Sequence, residues 1–558
     1  MMDASYSWTR TLLLLFGGSV LFWVSTACGQ PRPGPAARPQ PGIDVQDYNF
    51  RLTLSDTTDR IEGAATVRLR VTTDTLTAIR LDLVGPPDRP GPPGTAGETG
   101  MRVSAVSARG TPVPYRHAGD ILRITPDRGL AEGQTHTLRI RYAGVPADGL
   151  IIGTNRHGDR TFFGDNWPNR ARHWLPVVDH LSDKATVEFW VTAPAEYEVV
   201  SNGALVSDST TGPLRTTHWR TDVPLPPKVM IVGVADFAVD TVAVVDGVPV
   251  QSWVYPEDRG PGFKDLGQAP PILRFFEEHL GPYPYEKLAN VQSTTRYGGM
   301  ENAAAIFYSE EAVADGADDT TLLAHEIAHQ WYGNTVTEAD WPHLWLSEGF
   351  ATYLTGLYLE HARGDSALTN FMRRARRRVV RFHEQRPNTP LVDTTYSDPA
   401  ELLTANPYQK GAWVLHMLRH EVGTDTFWKG LRAYYTRYRN ENASTSDFRA
   451  VMEEVSGQAL GPFFEQWTRR AGHPVIEGTW RHDAEAGACV ISLRQTQSGA
   501  PFRVPVDVGL QGASSSTTTV FMDGETTEER IDCPQAPSSV VLDPQTRLLA
   551  ELSITRAE

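Results

Sequence analysis

Apolar and polar residues alternate with a period of two along most of the first half of the chain. From about Asp44 to Val239 the apolar positions recur as Tyr48, Phe50, Leu52 and Leu54, as Val67, Leu69 and Val71, and as Val187, Phe189 and Val191. Successive side chains of a strand point to opposite faces, so this period buries one face and leaves the other to solvent. Turn formers such as Asn202-Gly203 separate the runs, as hairpins require. Residues 44–240 therefore predict an amino-terminal β-sandwich or saddle-like sheet domain, with the Pro- and Gly-rich stretch from Gly85 to Gly94 as a loop.

The period changes near Gln251. The segment from Pro270 to Gly281 begins with proline and ends with glycine around an apolar stretch, the asymmetry of a helix. Strands resume near Val291. From Asp319 to Arg470 the pattern is mostly helical, with Asp319 or Thr320 as the cap of the first helix. Beyond Ala471-Gly-His-Pro474 the period of two returns in Cys489, Ile491 and Leu493, and again in Phe502, Val504, Val506, Val508 and Leu510. This predicts a small carboxy-terminal β-sandwich over 471–558. At 558 residues the chain is too long for one core. It reads as a multidomain α+β protein with β-rich ends and a mostly helical domain over 241–470.

Composition narrows the function. A net charge of −15 argues against a nucleic-acid partner, which calls for a basic face. The run from Arg373 to Arg378 is a local exception and reads as a solvated helix surface. At the amino terminus, Arg10 precedes an apolar run from Leu12 to Trp23 that is short for a bilayer span and is followed by Ser25-Thr-Ala27 and Cys28. Residues 1–27 are therefore a signal peptide that sends the chain out of the cytoplasm. Small residues directly before a cysteine resemble a bacterial lipoprotein signal, with Cys28 lipidated as a membrane anchor. Ser25 stands where such signals usually carry leucine, so plain secretion is the other reading. The expected location is the bacterial cell envelope, in the periplasm or at the outer membrane, or the medium. Residues 28–43 are Pro-rich and form an extended linker. Cys489 and Cys533 are expected to pair in an oxidising compartment, with two buried thiols as the alternative.

The candidate chemistry lies in Thr321-Leu-Leu-Ala-His325-Glu326-Ile-Ala-His329. Residues four apart share a helix face, so His325 and His329 can offer two imidazole nitrogens to one metal ion while Glu326 flanks them. A hydrolytic zinc site needs three protein ligands, and it lowers the pKa of a water in the fourth position to about 7. A second helical pattern opens at Trp345-Leu-Ser-Glu348-Gly-Phe, nineteen residues past His329, and supplies Glu348 as the third ligand. Glu326 is then the carboxylate that takes the proton.

Two further stretches belong with these: Gly298-Gly299-Met300-Glu301-Asn302 before the zinc segment and Tyr408-Gln-Lys-Gly411 sixty residues after Glu348. Together the motifs resemble the aminopeptidase N family of gluzincin zinc metallopeptidases, which also includes a leukotriene epoxide hydrolase. The resemblance covers the chain from about Asp44 to its end. It implies a thermolysin-like catalytic domain over 241–470, one Zn2+ per chain, and peptide substrates with a free amino terminus. It also implies that Glu301 binds the substrate's α-amino group, so that only the first peptide bond reaches the metal, and that the Tyr408 hydroxyl donates to the oxygen of the tetrahedral intermediate. Gly298 and Gly299, without side chains, would let the substrate backbone lie close to that strand. Gly299 stands where many members have alanine, and Ser347 where asparagine is common. Phe163-Gly-Asp165-Asn-Trp167 occupies the place of the family's second acidic anchor for the amine. The long helical carboxy-terminal domain of many members is missing, which implies a more open site. The expected function is an exported zinc aminopeptidase. An endopeptidase or epoxide hydrolase on the same scaffold, and a non-catalytic peptide-binding lipoprotein, are the alternatives.

Overall fold

Ile43–Thr53 lies inside an eight-stranded sheet, antiparallel to Ile61–Val71 and parallel to Ala185–Pro194. The molecule is described here by a computed structural model over residues 40–87, 99–512 and 515–557. The expected signal peptide, Cys28, most of the linker and most of the Gly85–Gly94 loop lie outside the described residues. Alternation orients the sheet: Tyr48, Phe50, Leu52, Val67, Leu69, Val187, Phe189 and Val191 are at most 1% exposed, while Arg51 and Arg68 face out. A one-residue slip would exchange the two faces, so the pattern also fixes the register. A second sheet joins Leu150–Thr154, Arg160–Gly164, Val232–Ala235 and Glu198–Ser201. Asn202-Gly203 is not a hairpin turn; it carries the chain from this sheet to Ala204–Thr211 of the eight-stranded one. The Asn202 amide is spent on the Val229 and Ala303 carbonyls at 2.8 Å each.

The central domain begins with a five-stranded sheet in the order Ala238–Val245, Val248–Val254, Leu288–Ser293, Ala305–Ser309, Gly299–Met300. Its first strand crosses the boundary drawn at 240. Helices α1 (Arg259–Leu266) and α2 (Ala269–Leu280) fall between the second and third strands, and Gly281 ends α2 as its sequence predicts. After the sheet come α3 (Thr320–Ala328), α4 (Trp345–Arg363), α5 (Asp365–Gln385) and α6 (Gly411–Val422). Asp319, one of the two residues expected there, stands at the N-cap of α3. Asp318 Oδ1 accepts from the Thr320 backbone N–H at 3.2 Å, and Asp319 makes no capping bond. No helix among the described residues is long and apolar enough to cross a membrane, which leaves β-barrel spans unaddressed.

The carboxy-terminal sandwich pairs a four-stranded sheet with a three-stranded one, and Phe502, Val504, Val506, Val508 and Leu510 are buried in it. The arginine run on α5 is only partly a solvated face. Arg373, Arg374, Arg377 and Arg378 are exposed, but Arg373 also donates to Thr546 Oγ1 at 3.0 Å, and the half-buried Arg376 pairs with Asp543 at 2.6 Å while lying over Trp413. These two residues fasten the helical domain to the carboxy-terminal one. Pairing of Ala488–Gln495 with Thr526–Asp532 brings Cys489 and Cys533 side by side in the core as free thiols. Under oxidising conditions they are expected to close into a disulfide, adding about 2–4 kcal/mol. Intact mass before and after reduction, with melting of Cys533→Ser, checks this; a reduced mass after aerobic purification would refute it.

Candidate active site

α3 holds His325 and Glu326 in its last turn, and His329 is the residue at which the helix stops. α4 places Glu348 in its first turn, opposite them. The two Nε2 atoms stand 3.2 Å apart, and Glu348 Oε2 lies 3.4 Å from each. Three ligand atoms around a tetrahedral ion bonded at about 2.0–2.1 Å are roughly 3.3–3.4 Å apart, so these residues fit zinc. Glu348 Oε2 is buried and accepts no hydrogen bond, which leaves it free to ligate. The His329 ring is turned by its other nitrogen: Nδ1 is 3.1 Å from the Tyr332 carbonyl and 3.1 Å from Ser347 Oγ. A donated Nδ1–H of this kind leaves Nε2 as the metal-facing lone pair. Ser347 thus fills a positioning role that the sequence showed only as a departure.

Charge in this pocket is unbalanced. Burial opposes a proton on His329, but Glu348, Glu301 and Glu326 outweigh it and raise the ring to about 9. The carboxylates around His329 thus favour positive charge at this position. Burial lowers His325. Glu348 is held below the usual carboxylate range: burial pushes it up, and the two imidazoles more than reverse this. Burial, with Glu301 and Glu348, raises Glu326 well above that range against the pull of His329. A divalent cation among three acids supplies the missing opposite charge.

Glu301 ends the edge strand Gly299–Met300 and is 5% exposed. Ligand atoms of Glu301, Glu326 and His329 lie within 4.8 Å of one another, and Glu301 Oε1 has no partner. Its carbonyl accepts from Gln330 Nε2 at 3.0 Å and Asn334 Nδ2 at 2.6 Å, both just past the second histidine. Gln330 also accepts from the Ala304 N–H at 3.0 Å, so the segment after α3 fixes this strand. Sequence reading missed Gln330 and Asn334; their amide side chains beside the histidines were the available signal. Lys228 and Glu338, an ion pair at 2.8 Å with side chains at most 1% exposed, lie behind the pocket.

The glycines divide. Space beside Gly298 is open, as substrate approach along the strand requires, whereas a Cβ on Gly299 would stand 2.3 Å from Glu326 Oε1. Gly299 thus leaves room for the Glu326 carboxylate. Met300 is 2% exposed in the core, and Asn302 is fully buried with neither side-chain atom partnered. Asp165 is also fully buried; its Oδ1 pairs with Arg170 at 2.6 Å and its Oδ2 accepts from the Arg296 N–H at 3.3 Å. Both of its oxygens are thus already engaged within the protein. Trp167 sets its ring edgewise against Tyr297 and Trp341.

Tyr408 sits in a π-helical turn, Asn406–Lys410, that runs into α6. Its ring is parallel to that of His325, 6.0 Å away. α4 and α6 cross where a Cβ on Gly349 would come 2.8 Å from Gly411 Cα, so backbone meets backbone there. That contact brings Tyr408 to the turn carrying Glu348. Burial, then Glu348, Glu301 and Glu326, raise the phenol well above its ordinary value, so it remains a neutral donor.

Residues 45–227 match the protein-family model of the Peptidase M1 N-terminal domain, and residues 265–467 match the Peptidase family M1 domain. Among curated proteins, Aminopeptidase M1-C of Oryza sativa subsp. japonica is 29% identical over 356 residues, 61% of this chain and 40% of that protein. Glutamyl aminopeptidase of Homo sapiens is 30% identical over 329 residues, 56% of this chain and 34% of that one. The match thus spans less than half the length of these relatives. Among solved structures, an M1 zinc metallopeptidase from Deinococcus radiodurans superposes with a TM-score of 0.65 at 27% identity, covering 77% of this chain and 95% of that one. A mutant of the same enzyme bound to a Tyr-Ser-Ala substrate gives a TM-score of 0.64 at 27% identity, with the same coverage of both chains.

Proposed function

This chain belongs to the M1 family of peptidases, and from that premise we propose that it is an exported zinc aminopeptidase that removes the first residue of peptides. The observation that carries the reading is the position of Glu301. A buried carboxylate with an unpartnered oxygen lies beside both Glu326 and a metal-ligating histidine. A carboxylate so placed holds a substrate ammonium about one residue from the scissile bond, which suits exopeptidase cleavage and disfavours internal bonds.

His325, His329 and Glu348 would hold the zinc, which supplies Lewis acidity towards the scissile carbonyl and a water acidic near neutral pH. Glu301 binds the amine, with Gln330 and Asn334 pinning its backbone. Glu326 takes a proton from the attacking water and returns it to the leaving nitrogen. Tyr408 donates its hydroxyl to the oxygen on which negative charge develops.

Acetylating the amine of an aminoacyl reporter is expected to lower kcat/KM by about 10²- to 10³-fold, because Glu301 is then left buried and unpaired. The measurement compares free and acetylated reporters with and without a chelator. Equal cleavage of both would identify an endopeptidase, and chelator-insensitive turnover would exclude zinc. Export rests on the amino-terminal sequence. Mass spectrometry of the protein from its native host should find residues 1–27 removed, with a lipid on Cys28 if the chain is anchored; a retained leader would overturn export.

A further inference from the structure

Carboxylates converge at a second place, away from the imidazoles. Asp265 in the last turn of α1 meets Asp315 and Asp319 of the loop that leads into α3, with one oxygen of each within 4.8 Å of the others. Asp265 is fully buried. Its Oδ2 accepts from the Gly316 N–H at 3.0 Å, but its Oδ1 has no partner, and neither does the buried Oδ2 of Asp319. Among the described residues no ion pair reaches any of the three. The Arg363 guanidinium beside the loop is taken by Asp318 at 2.7 Å, and Lys264 on α1 is exposed.

Asp315 is exposed and Asp319 half-buried, so the trio opens to solvent on one side. The buried unpartnered oxygens of Asp265 and Asp319 nevertheless lie in one cluster with no positive charge, and such acids are held together either by a shared proton or by a cation. The imbalance registers on Asp319, pushed up to about 7 by burial and by Asp265, Asp315 and Asp318. We propose that Asp265, Asp315 and Asp319 form a second cation site and that it takes calcium. The donors are oxygen alone, which disfavours zinc and copper. Calcium completes a shell of six to eight oxygens from carboxylates, backbone carbonyls and water in flexible geometry, as a loop can offer; magnesium demands a near-ideal octahedron. The ion ties the loop to α1 and to the start of α3, whose last turn carries His325 and Glu326. It is a brace for the zinc-bearing helix and takes no part in the chemistry.

The test uses full-length, zinc-loaded protein in calcium-free buffer, titrated with Ca2+ or Mg2+ and followed by thermal melting and by bound-metal analysis. Calcium is expected to bind at one per chain and to raise Tm by about 2–4 °C at saturation, with a smaller effect of magnesium. Asp315→Asn should retain zinc and the fold but lose the calcium shift. Asp318→Asn, which lies outside the trio, should keep it. An unchanged Tm with millimolar calcium would overturn the site, as would an equal shift in Asp315→Asn. A wild-type Tm that responds to pH near neutrality but not to calcium would overturn it too, by showing that a proton fills the role.

Discussion

Replacing Glu326 by glutamine is expected to lower kcat by about 10³- to 10⁴-fold while the protein still binds one zinc per chain. The amide matches the carboxylate in size, so it keeps the space that Gly299 leaves for it. It cannot accept a proton from water or deliver one to the departing nitrogen. His325, His329 and Glu348 are untouched, and His329 keeps the Tyr332 and Ser347 contacts that orient it. No neighbour substitutes for the lost base. Glu301 is the other acid within reach, but its backbone is fixed by Gln330 and Asn334, and in the proposed reading its side chain is taken by the substrate amine. Turnover on an aminoacyl reporter, paired with zinc content from elemental analysis, checks the prediction. Near-wild-type rates would remove Glu326 as the proton carrier, and loss of zinc would show that it helps to hold the metal.

The candidate metal ligands were legible because helix geometry is local. Four-residue spacing puts His325 and His329 on one face in any helix, and the Glu348 pattern needs only a second helix facing it. The position of Tyr408 was not legible from local rules, because it depends on Gly349 and Gly411 letting two helices touch at the backbone. Motif resemblance pointed to the tyrosine; the crossing accounts for where it stands. One reading was only partly right because the competing partner lay elsewhere in the fold. Arg373 and Arg376, which read as part of a solvated face, are claimed by the carboxy-terminal sandwich. Asn202-Gly203 has the composition of a hairpin turn, yet burial diverts its amide to Val229 and Ala303. Alternation, by contrast, predicted the strand faces well, since one side of each sheet must be dry and a register slip would expose it.

Tyr408→Phe should cost about 10²- to 10³-fold in kcat, about 3–4 kcal/mol in the barrier, with little change in KM. Ground-state peptide does not need the hydroxyl; the oxygen that gains negative charge during attack does. Phenylalanine preserves the ring that lies parallel to His325, and the Gly349–Gly411 crossing holds the turn whichever ring it carries. The substitution is therefore expected to leave Tm and zinc content as they are. Burial and three nearby carboxylates hold the phenol well above its ordinary value, which favours the neutral donor form. Comparing kcat, KM and melting of the variant with wild type separates the roles. A loss confined to KM, or to stability, would make Tyr408 a packing residue and move the stabilisation of the developing oxyanion elsewhere.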